Sequence, residues 1–376
     1  MAFTRKTAGS LTSSVRSIAL FVGALSLTPV VLCQQIIIDT SPARAVLKAL
    51  NDSSLTFDEA LALARLDGNR GMIKEMHDLG EADTEEQFAH ALVAAAHGQP
   101  AGSSAEKSYS FPTVKSASQA ETRLLDQIDQ GVEKEIRERI APYTPHAERV
   151  SVKGFVVAGG DGGGYAFGGA DFYLNIALND DIHMARQVLV HETFHGAQGA
   201  VYHEDTEHWA KERTEPTSLV RGKLCSNAAE LFMDLRNEGT AMFVGSESIL
   251  KGATGATGQR MYAESQYGGA HLPDSADLLE ISIASLQASD PVPFKTVYSV
   301  DFFGKGIVYY VGRGMTSAVV EQDGPAGVQQ VLQEPGYEFV LRYTRLKSYG
   351  KDSTHPRLGE NTVHAAQLLH DGCSPS

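Results

Sequence analysis

The stretch His191-Glu192-Thr193-Phe194-His195 decides how this chain is interpreted. It matches His-Glu-x-x-His, a pattern typical of zinc peptidases. Side chains four positions apart share one face of an α-helix, so His191 and His195 can bind the same metal ion. Glu192 lies one step around the helix, where it can hold a water molecule without binding the metal. The alternative is an ordinary helix that carries two surface histidines.

The residues before this motif predict the helix that such chemistry needs. The run Asn-Asp-Asp at 179–181 offers helix N-caps. Met184, Val188, His191 and His195 then follow at helical spacing on one face, which we expect to point inward. A single histidine there would favour a buried core residue, whereas two histidines with a glutamate between them favour a metal.

The third metal ligand determines the type of site. Catalytic zinc usually has three protein ligands. The metzincin pattern requires glycine and histidine where this chain has Gln198 and Val201, so that class is disfavoured. Glu215 lies at a suitable spacing, but it precedes Pro216, which disfavours a helix there. The polar segment 203–208 is expected to be solvated, and the alternative is that its histidines line the cleft.

Glu238 is the better candidate for the third ligand. The segment Asn227–Glu230 resembles a capping box, which predicts a helix that ends near Val244. Glu238 shares an apolar face of this helix, and an acid there must be paired, protonated or bound to metal. Gly239 permits a close approach of another helix. A buried ion pair is the alternative for Glu238, and Asp234 either orients a histidine or is solvated.

The N-terminus has the layout of a secretory signal. Three basic residues precede an apolar run, Ile18–Cys33, and no acidic residue occurs before Asp39. The run is shorter than the roughly 20 residues that span a bilayer. We expect removal of residues 1–33, a periplasmic or extracellular location, and no stable membrane insertion afterwards. Lipid attachment at Cys33 is the less favoured alternative.

Composition excludes one class of partner. The formal net charge is −14, and residues 1–33 contain basic but no acidic side chains, so the mature chain is more acidic still. Such a surface repels phosphate backbones, which argues against nucleic-acid binding. Cys225 and Cys373 either form a disulfide or remain free thiols. The oligomeric state stays open.

The mature chain divides into two predicted regions. An N-terminal helical region covers 34–149 and contains a Ser/Pro/Gly-rich loop at 98–119. Its predicted helices are Ala43–Leu50, Phe57–Leu66, Arg70–Leu79, Glu85–His97 and Ala120–Ile140. The second region, 150–376, is expected to be catalytic, with a helical C-terminal part.

Two strands are predicted before the motif helix, at Val150–Ala158 and Asp171–Leu178. The glycine-rich stretch Gly159–Gly169 between them lacks the features of a phosphate-binding loop, so we interpret it as a hairpin connection. The strand Asp171–Leu178 either docks the backbone of a substrate or merely completes the sheet.

The two metal-binding segments together carry a family resemblance. His191-Glu192-x-x-His195 followed by Asn237-Glu238-Gly239-x-Ala241 resembles the gluzincins, zinc peptidases whose third ligand is glutamate. The layout of roughly residues 37–346 is similar to uncharacterised predicted zinc-dependent proteases that bacteria export. We predict an α+β, predominantly helical fold with a small β-sheet beside a two-helix metal site, and the resemblance implies a zincin-like core.

The resemblance also implies a function. It predicts one Zn²⁺ per chain, held by His191, His195 and Glu238, and hydrolysis of a peptide or protein substrate with Glu192 as general base. Gluzincins commonly supply a Tyr or His that stabilises the oxyanion. Tyr309 matches their Tyr-x-x-Gly pattern, and His271 and Tyr310 are the alternatives. The rival functions are a non-catalytic, metal-stabilised binding protein and a hydrolase of another amide, such as cell-wall peptide.

Overall fold

A four-stranded mixed sheet organises the first half of the chain in the computed structural model. The residues that the structure describes are 35–81, 84–100, 102–111, 115–167, 169–201, 219–288 and 290–372, and they belong to one compact unit. The predicted signal 1–33, the segment 203–208, Glu215 and Cys373 lie outside these residues.

The sheet has the order β1-β2-β4-β3. Its strands are β1 (Gln35–Asp39), β2 (Ser151–Val157), β3 (Gly164–Ala166) and β4 (Asp171–Asn175). Strands β1, β2 and β4 are parallel, while β3 pairs antiparallel with β4. Strand β1 was not predicted from the sequence. The prediction of a hairpin connection at Gly159–Gly169 was wrong, because this stretch contains β3 and the strands on either side of it, β2 and β4, are parallel.

Helices occupy most of the remaining chain. In order they are α1 (Ser41–Leu50), α2 (Phe57–Ala64), α3 (Asp67–Asp78), α4 (Glu85–Ala96), α5 (Ser104–Ser108), α6 (Lys115–Ile128), α7 (Val132–Ile140), α8 (Ile182–Val201), α9 (Leu219–Val244), α10 (Ala256–Ala270), α11 (Leu272–Gln287), α12 (Phe294–Tyr298), α13 (Ile307–Asp323), α14 (Pro325–Val331), α15 (Gly336–Thr344) and α16 (Glu360–His370). A π-helical turn, Ser299–Gly304, links α12 to α13. The predicted fold class, α+β and predominantly helical, is confirmed.

Two local predictions in the N-terminal region were wrong. The predicted loop 98–119 contains α5 and the start of α6. Tyr109 and Phe111 between them are buried against Phe88, so this segment is part of the core. The predicted helix Ala120–Ile140 is two helices, because Gly131 has a left-handed backbone (φ 107°) that a continuous α-helix cannot contain.

Both metal-binding helices were predicted, and one begins earlier than expected. The Asp181 carboxylate caps α8 by accepting from the backbone N–H of Met184 at 2.9 Å. Helix α9 ends at Val244 as predicted, but the proposed capping box at Asn227 lies inside the helix. Cys225 and Ala228 are buried there, so the apolar face continues upstream and the helix with it.

Helices pack on both faces of the sheet. A Cβ added to Gly71 of α3 would lie 1.9 Å from the ring of Tyr173 in β4, and one added to Gly196 of α8 would lie 2.6 Å from Val152 in β2. Glycine therefore allows both helices to approach the strands closely. Helix α8, which carries the motif, lies directly against the sheet.

The buried apolar residues form two clusters. One contains the sheet, α1–α4, α6–α8, residues near the end of α9 and Val328 of α14. The other contains the earlier part of α9 and the helices that follow it, including α11, α13, α15 and α16. Since α9 contributes to both clusters, it joins the two halves of the core, and Glu238 lies on the joining helix.

Two further facts concern the chain as a whole. No helix among the described residues is long and apolar enough to cross a membrane. Cys225 is disulfide-bonded. The two other cysteines of the chain, Cys33 and Cys373, both lie outside the described residues.

Candidate metal centre

Three side chains from two helices converge on one point. Nε2 of His191 lies 3.0 Å from Nε2 of His195, and both atoms lie close to Oε2 of Glu238, at 3.2 and 3.3 Å. These are the described His, Cys, Asp and Glu side chains that could together hold a metal ion. Thus α8 supplies two potential ligands. Helix α9 supplies the third, Glu238, which lies 43 positions after His195 in the sequence.

The spacing of these three atoms fits zinc. In tetrahedral coordination with bonds of roughly 2.0–2.1 Å, two ligand atoms lie about 3.3 Å apart. The observed separations of 3.0–3.3 Å agree with that value. Two imidazoles and one carboxylate also form a donor set that catalytic zinc uses, with a fourth position left for water or substrate.

Gln198 orients one of the histidines. Nε2 of its amide donates to the carbonyl oxygen of Asn237 (2.8 Å) and to Oγ1 of Thr240 (2.7 Å), so its Oε1 must face His195. Nδ1–H of His195 donates to this oxygen at 2.7 Å. That bond places the proton on Nδ1 and leaves Nε2 with a lone pair for a metal.

Gln198 also ties α8 to α9, although sequence analysis used it only to exclude the metzincin pattern. Asp234, considered earlier as a partner for a histidine, does not have that role. Nδ1 of His195 is bonded to Gln198, and Nδ1 of His191 is buried with no hydrogen-bond partner among the described residues.

The contact between His195 and Glu238 shifts the pKa values of both side chains. Burial opposes the positive charge on His195, but the neighbouring Glu238 carboxylate outweighs it and raises the pKa of His195 to about 9. Burial also opposes the charge on Glu238, yet both histidines hold its pKa well below the usual range. A carboxylate that remains ionised between two imidazoles is suited to bind a cation.

Glu192 lies beside this cluster and is only 7% exposed. A Cβ added to Gly164 of β3 would lie 2.8 Å from its Oε1, so the glycine allows the carboxylate to lie against the strand. The pKa of Glu192 is raised, because the effect of burial exceeds the opposite effect of the two histidines. A buried carboxylate of this kind is a better proton acceptor than an exposed one.

Two glycines bring Tyr309 to the metal cluster. A Cβ on Gly239 of α9 would lie 2.3 Å from the backbone of Gly312 in α13, and a Cβ on Gly312 would lie 2.1 Å from the carbonyl oxygen of Leu235. The backbones of the two helices therefore lie in contact, which confirms the close approach predicted from Gly239. Tyr309, one turn before Gly312, has its ring centroid 6.4 Å from that of His191.

A cavity of about 890 Å³ surrounds the cluster, and Glu192 and Tyr309 both line it. Burial and the charge of Glu238 raise the pKa of Tyr309, so its hydroxyl stays protonated and can donate. His271 stacks on Tyr267, and Tyr310 lies against Gly268. Neither of these two alternatives lines the cavity.

Tyr298, at the end of α12, also lines the cavity, and sequence analysis missed it. Burial and the charges of Asp234 and Glu238 raise its pKa. The sequence around Tyr298 carries no motif that marks a functional residue, and its place at the cavity depends on the tertiary packing of α12.

The edge of the sheet at the cavity is β3. The predicted docking strand, Asp171–Leu178, corresponds to β4, which lies inside the sheet between β2 and β3. Both of its edges are therefore occupied, and the docking prediction for this strand was wrong. Within the part of the chain that the structure describes, β3 pairs only with β4 and its other edge is free, and Gly164, Tyr165 and Ala166 all line the cavity.

A comparison with known proteins agrees with this geometry. Residues 62–351 match the family model described as "Putative zinc dependent peptidase (DUF5700)", and the chain belongs to this family. No curated protein and no solved structure matches the chain. The cofactor is zinc, and at this coarse level the protein is a metallopeptidase.

Proposed function

We propose that the protein hydrolyses peptide bonds outside the cytoplasm, with zinc held by His191, His195 and Glu238. The observation that carries the proposal is the convergence of their three ligand atoms within 3.3 Å, beside the buried carboxylate of Glu192. Membership of the zinc-dependent family supports it.

The proposed mechanism assigns a task to each side chain. When bound, zinc supplies Lewis-acid chemistry, which activates water and polarises a carbonyl group. Glu192 takes a proton from the water and delivers it to the leaving amine. Tyr309 donates a hydrogen bond to the oxyanion of the tetrahedral intermediate. Gln198 keeps His195 in the tautomer that metal binding requires.

The free edge of β3 is the proposed dock for the substrate backbone. An extended peptide can add to an exposed strand through main-chain hydrogen bonds. Because Gly164 contacts Glu192, a peptide on this edge passes close to the proposed base. The cavity volume of about 890 Å³ accommodates several residues of a substrate.

Export is part of the proposal. The basic start and short apolar run of residues 1–33 support secretion. The disulfide at Cys225 also supports it, because disulfides persist mainly in oxidising compartments. We propose a soluble mature protein that acts on peptides or proteins and does not bind nucleic acid.

One experiment tests the catalytic proposal. The parent protein, His191→Ala, His195→Ala, Glu238→Ala and Glu192→Gln are analysed for zinc content and incubated with a broad peptide library. We expect one zinc per parent chain, a sharp loss of zinc in the three alanine variants, and zinc without hydrolysis in Glu192→Gln. The glutamine preserves shape but accepts no proton.

The outcomes separate the rival functions. Zinc in the parent without cleavage of any peptide would favour the non-catalytic binding protein. Cleavage of cell-wall peptides alone would favour the other amide hydrolase. If Glu215→Ala loses zinc while Glu238→Ala retains it, the third ligand is misassigned. Unchanged turnover in Glu192→Gln would exclude its role as the general base.

A further inference from the structure

Two polar groups in the cavity have no part in the mechanism proposed above. Glu75 of α3 is half-buried and has neither an ion pair nor a side-chain hydrogen bond among the described residues. Tyr165 of β3 is 9% exposed, and its hydroxyl is buried without a hydrogen-bond partner in the same part of the structure. Buried polar groups are normally satisfied, so both call for an explanation.

The two groups lie next to each other. A Cβ added to Gly162 would lie 2.9 Å from Cδ1 of Tyr165 and 3.4 Å from Oε1 of Glu75. Both side chains line the cavity that contains the metal cluster. They are therefore beside the free edge of β3, where the proposed function places a substrate.

The basic residue that precedes Glu75 in the sequence, Lys74, forms its ion pair with another acid. Nζ of Lys74 binds Oδ2 of Asp78 at 2.7 Å and lies 3.5 Å from the ring centroid of Phe167. Burial, together with the charge of Asp78, raises the pKa of Glu75. The charge of Lys74 acts in the opposite direction but does not cancel this rise, so the Glu75 carboxylate is only partly compensated.

The charge balance of the cavity leaves an unmet negative charge. Zinc would neutralise Glu192 and Glu238. Apart from the two histidines that would bind zinc, Arg236 is the basic residue on the described lining, and it donates to the carbonyl oxygen of Glu334 and to Oδ1 of Asn237. Glu75, and the exposed Asp161 near it, have no such counter-charge on this wall.

We propose that Glu75 and Tyr165 form a subsite for a positively charged group of the peptide substrate, an inference that rests on the proposed peptidase function. An ammonium or guanidinium group donates several hydrogen bonds and carries the missing charge, so it satisfies the Glu75 carboxylate and the Tyr165 hydroxyl together. The group is either a Lys or Arg side chain or the amino terminus of the peptide, both of which have this chemistry.

The test compares matched peptides with the zinc-loaded protein. A sequence that the parent cleaves is synthesised with lysine or norleucine near the scissile bond, each with a free and an acetylated N-terminus. We expect the charged peptide to have a kcat/KM about ten- to a hundredfold higher than its neutral match. If lysine raises kcat/KM over norleucine in the acetylated peptides, the subsite binds a side chain. If acetylation lowers kcat/KM in the norleucine peptides, the subsite binds the amino terminus.

Variants connect the preference to these residues. In Glu75→Gln the ratio of kcat/KM for the charged peptide to kcat/KM for its neutral match should fall to within about threefold of one. Glu75→Lys should favour a peptide with glutamate at that position instead. Tyr165→Phe should reduce the ratio through KM. Glu86→Gln, which removes an exposed charge outside the cavity, should keep the parent ratio. Circular dichroism and zinc content verify that each variant folds.

The failures are distinguishable. Equal cleavage of all four parent peptides, or a preference that survives in Glu75→Gln, overturns the subsite and leaves the peptidase function intact. If the parent cleaves no peptide, the proposed function fails. In that case one arbitrary peptide sequence is made in the same four forms, fluorescence titration tests the subsite by itself, and equal affinities for charged and neutral peptides overturn it.

Discussion

The amide of Gln198 accepts a hydrogen bond from His195 and also connects α8 to α9. Outer partners of this kind typically contribute 10- to 100-fold to metal affinity. We therefore expect Gln198→Leu to weaken zinc binding by about this factor, measured by competition with a chelator. Gln187→Leu is the control, because Gln187 is a buried amide of the same helix that bonds to Gly245 rather than to a histidine. Equal losses in both variants would contradict a specific role for Gln198.

The hydroxyl of Tyr309 is the proposed oxyanion donor. Tyr309→Phe removes that hydroxyl and little packing, so turnover should fall about 10²- to 10³-fold while zinc is retained. Steady-state kinetics on any cleaved peptide measure this. Tyr310→Phe is the matched control, since its ring faces Gly268, away from the cavity. If Tyr309→Phe loses less than about threefold, Tyr298→Phe becomes the next variant to measure.

At the scale of elements, the contact between α9 and α13 positions Tyr309 relative to Glu238. Gly239→Ala would place a methyl group 2.3 Å from the backbone of Gly312, so the helices must separate. Overpacking of this kind costs about 1–3 kcal/mol or more. We expect lower stability in urea unfolding and reduced activity. Gly169→Ala, where a Cβ meets nothing within 4 Å, should change neither.

Helix α6 carries a buried acid, Glu121, with Oε2 unpartnered among the described residues. Burial raises its pKa from 4.5 to about 7. Between these two pKa values the folded state binds more protons than the unfolded state. Glu121 therefore lowers the stability of the protein as the pH rises through this range. We expect the free energy of unfolding of Glu121→Gln to exceed that of the parent by about 1–3 kcal/mol at pH 8 and to differ little from it at pH 4. Urea unfolding at both pH values measures this, and an equal difference at both would contradict it.

At the scale of the whole molecule, the metal cluster lies where the two apolar clusters meet. His191 and His195 belong to the helix packed on the sheet, and Glu238 belongs to the helix that joins the C-terminal helices to it. Folding of both halves is therefore required before the three ligand atoms converge, and zinc bound between them should stabilise the assembled protein.

Export is also a property of the whole chain. We expect N-terminal sequencing of protein from its native host to begin near Gln34, in a fraction outside the cytoplasm. An intact Met1 in the cytoplasm would contradict this, and a lipid-modified Cys33 at the N-terminus would support the anchored alternative. Non-reducing mass mapping of the same material should show Cys225 in a disulfide.

The sequence by itself predicted the two metal-binding helices, the pairing of His191 with His195, and Glu238 as the third candidate. These predictions depend on spacing along one helix, and helical periodicity relates that spacing directly to position in space. Membership of the zinc-dependent family agrees with them. The roles of Glu192 and Tyr309 stay predictions until the variants are measured.

Only the tertiary structure decided which strand borders the cavity and which side chains support the cluster. Strand β3 has three residues, too few to produce a periodic signal, and its place at the edge depends on pairing with β4. Gln198, Tyr298 and Glu75 lie at the cavity because helices distant in sequence pack together there. Periodicity along one helix gives no information about its contacts with helices that are distant in the sequence.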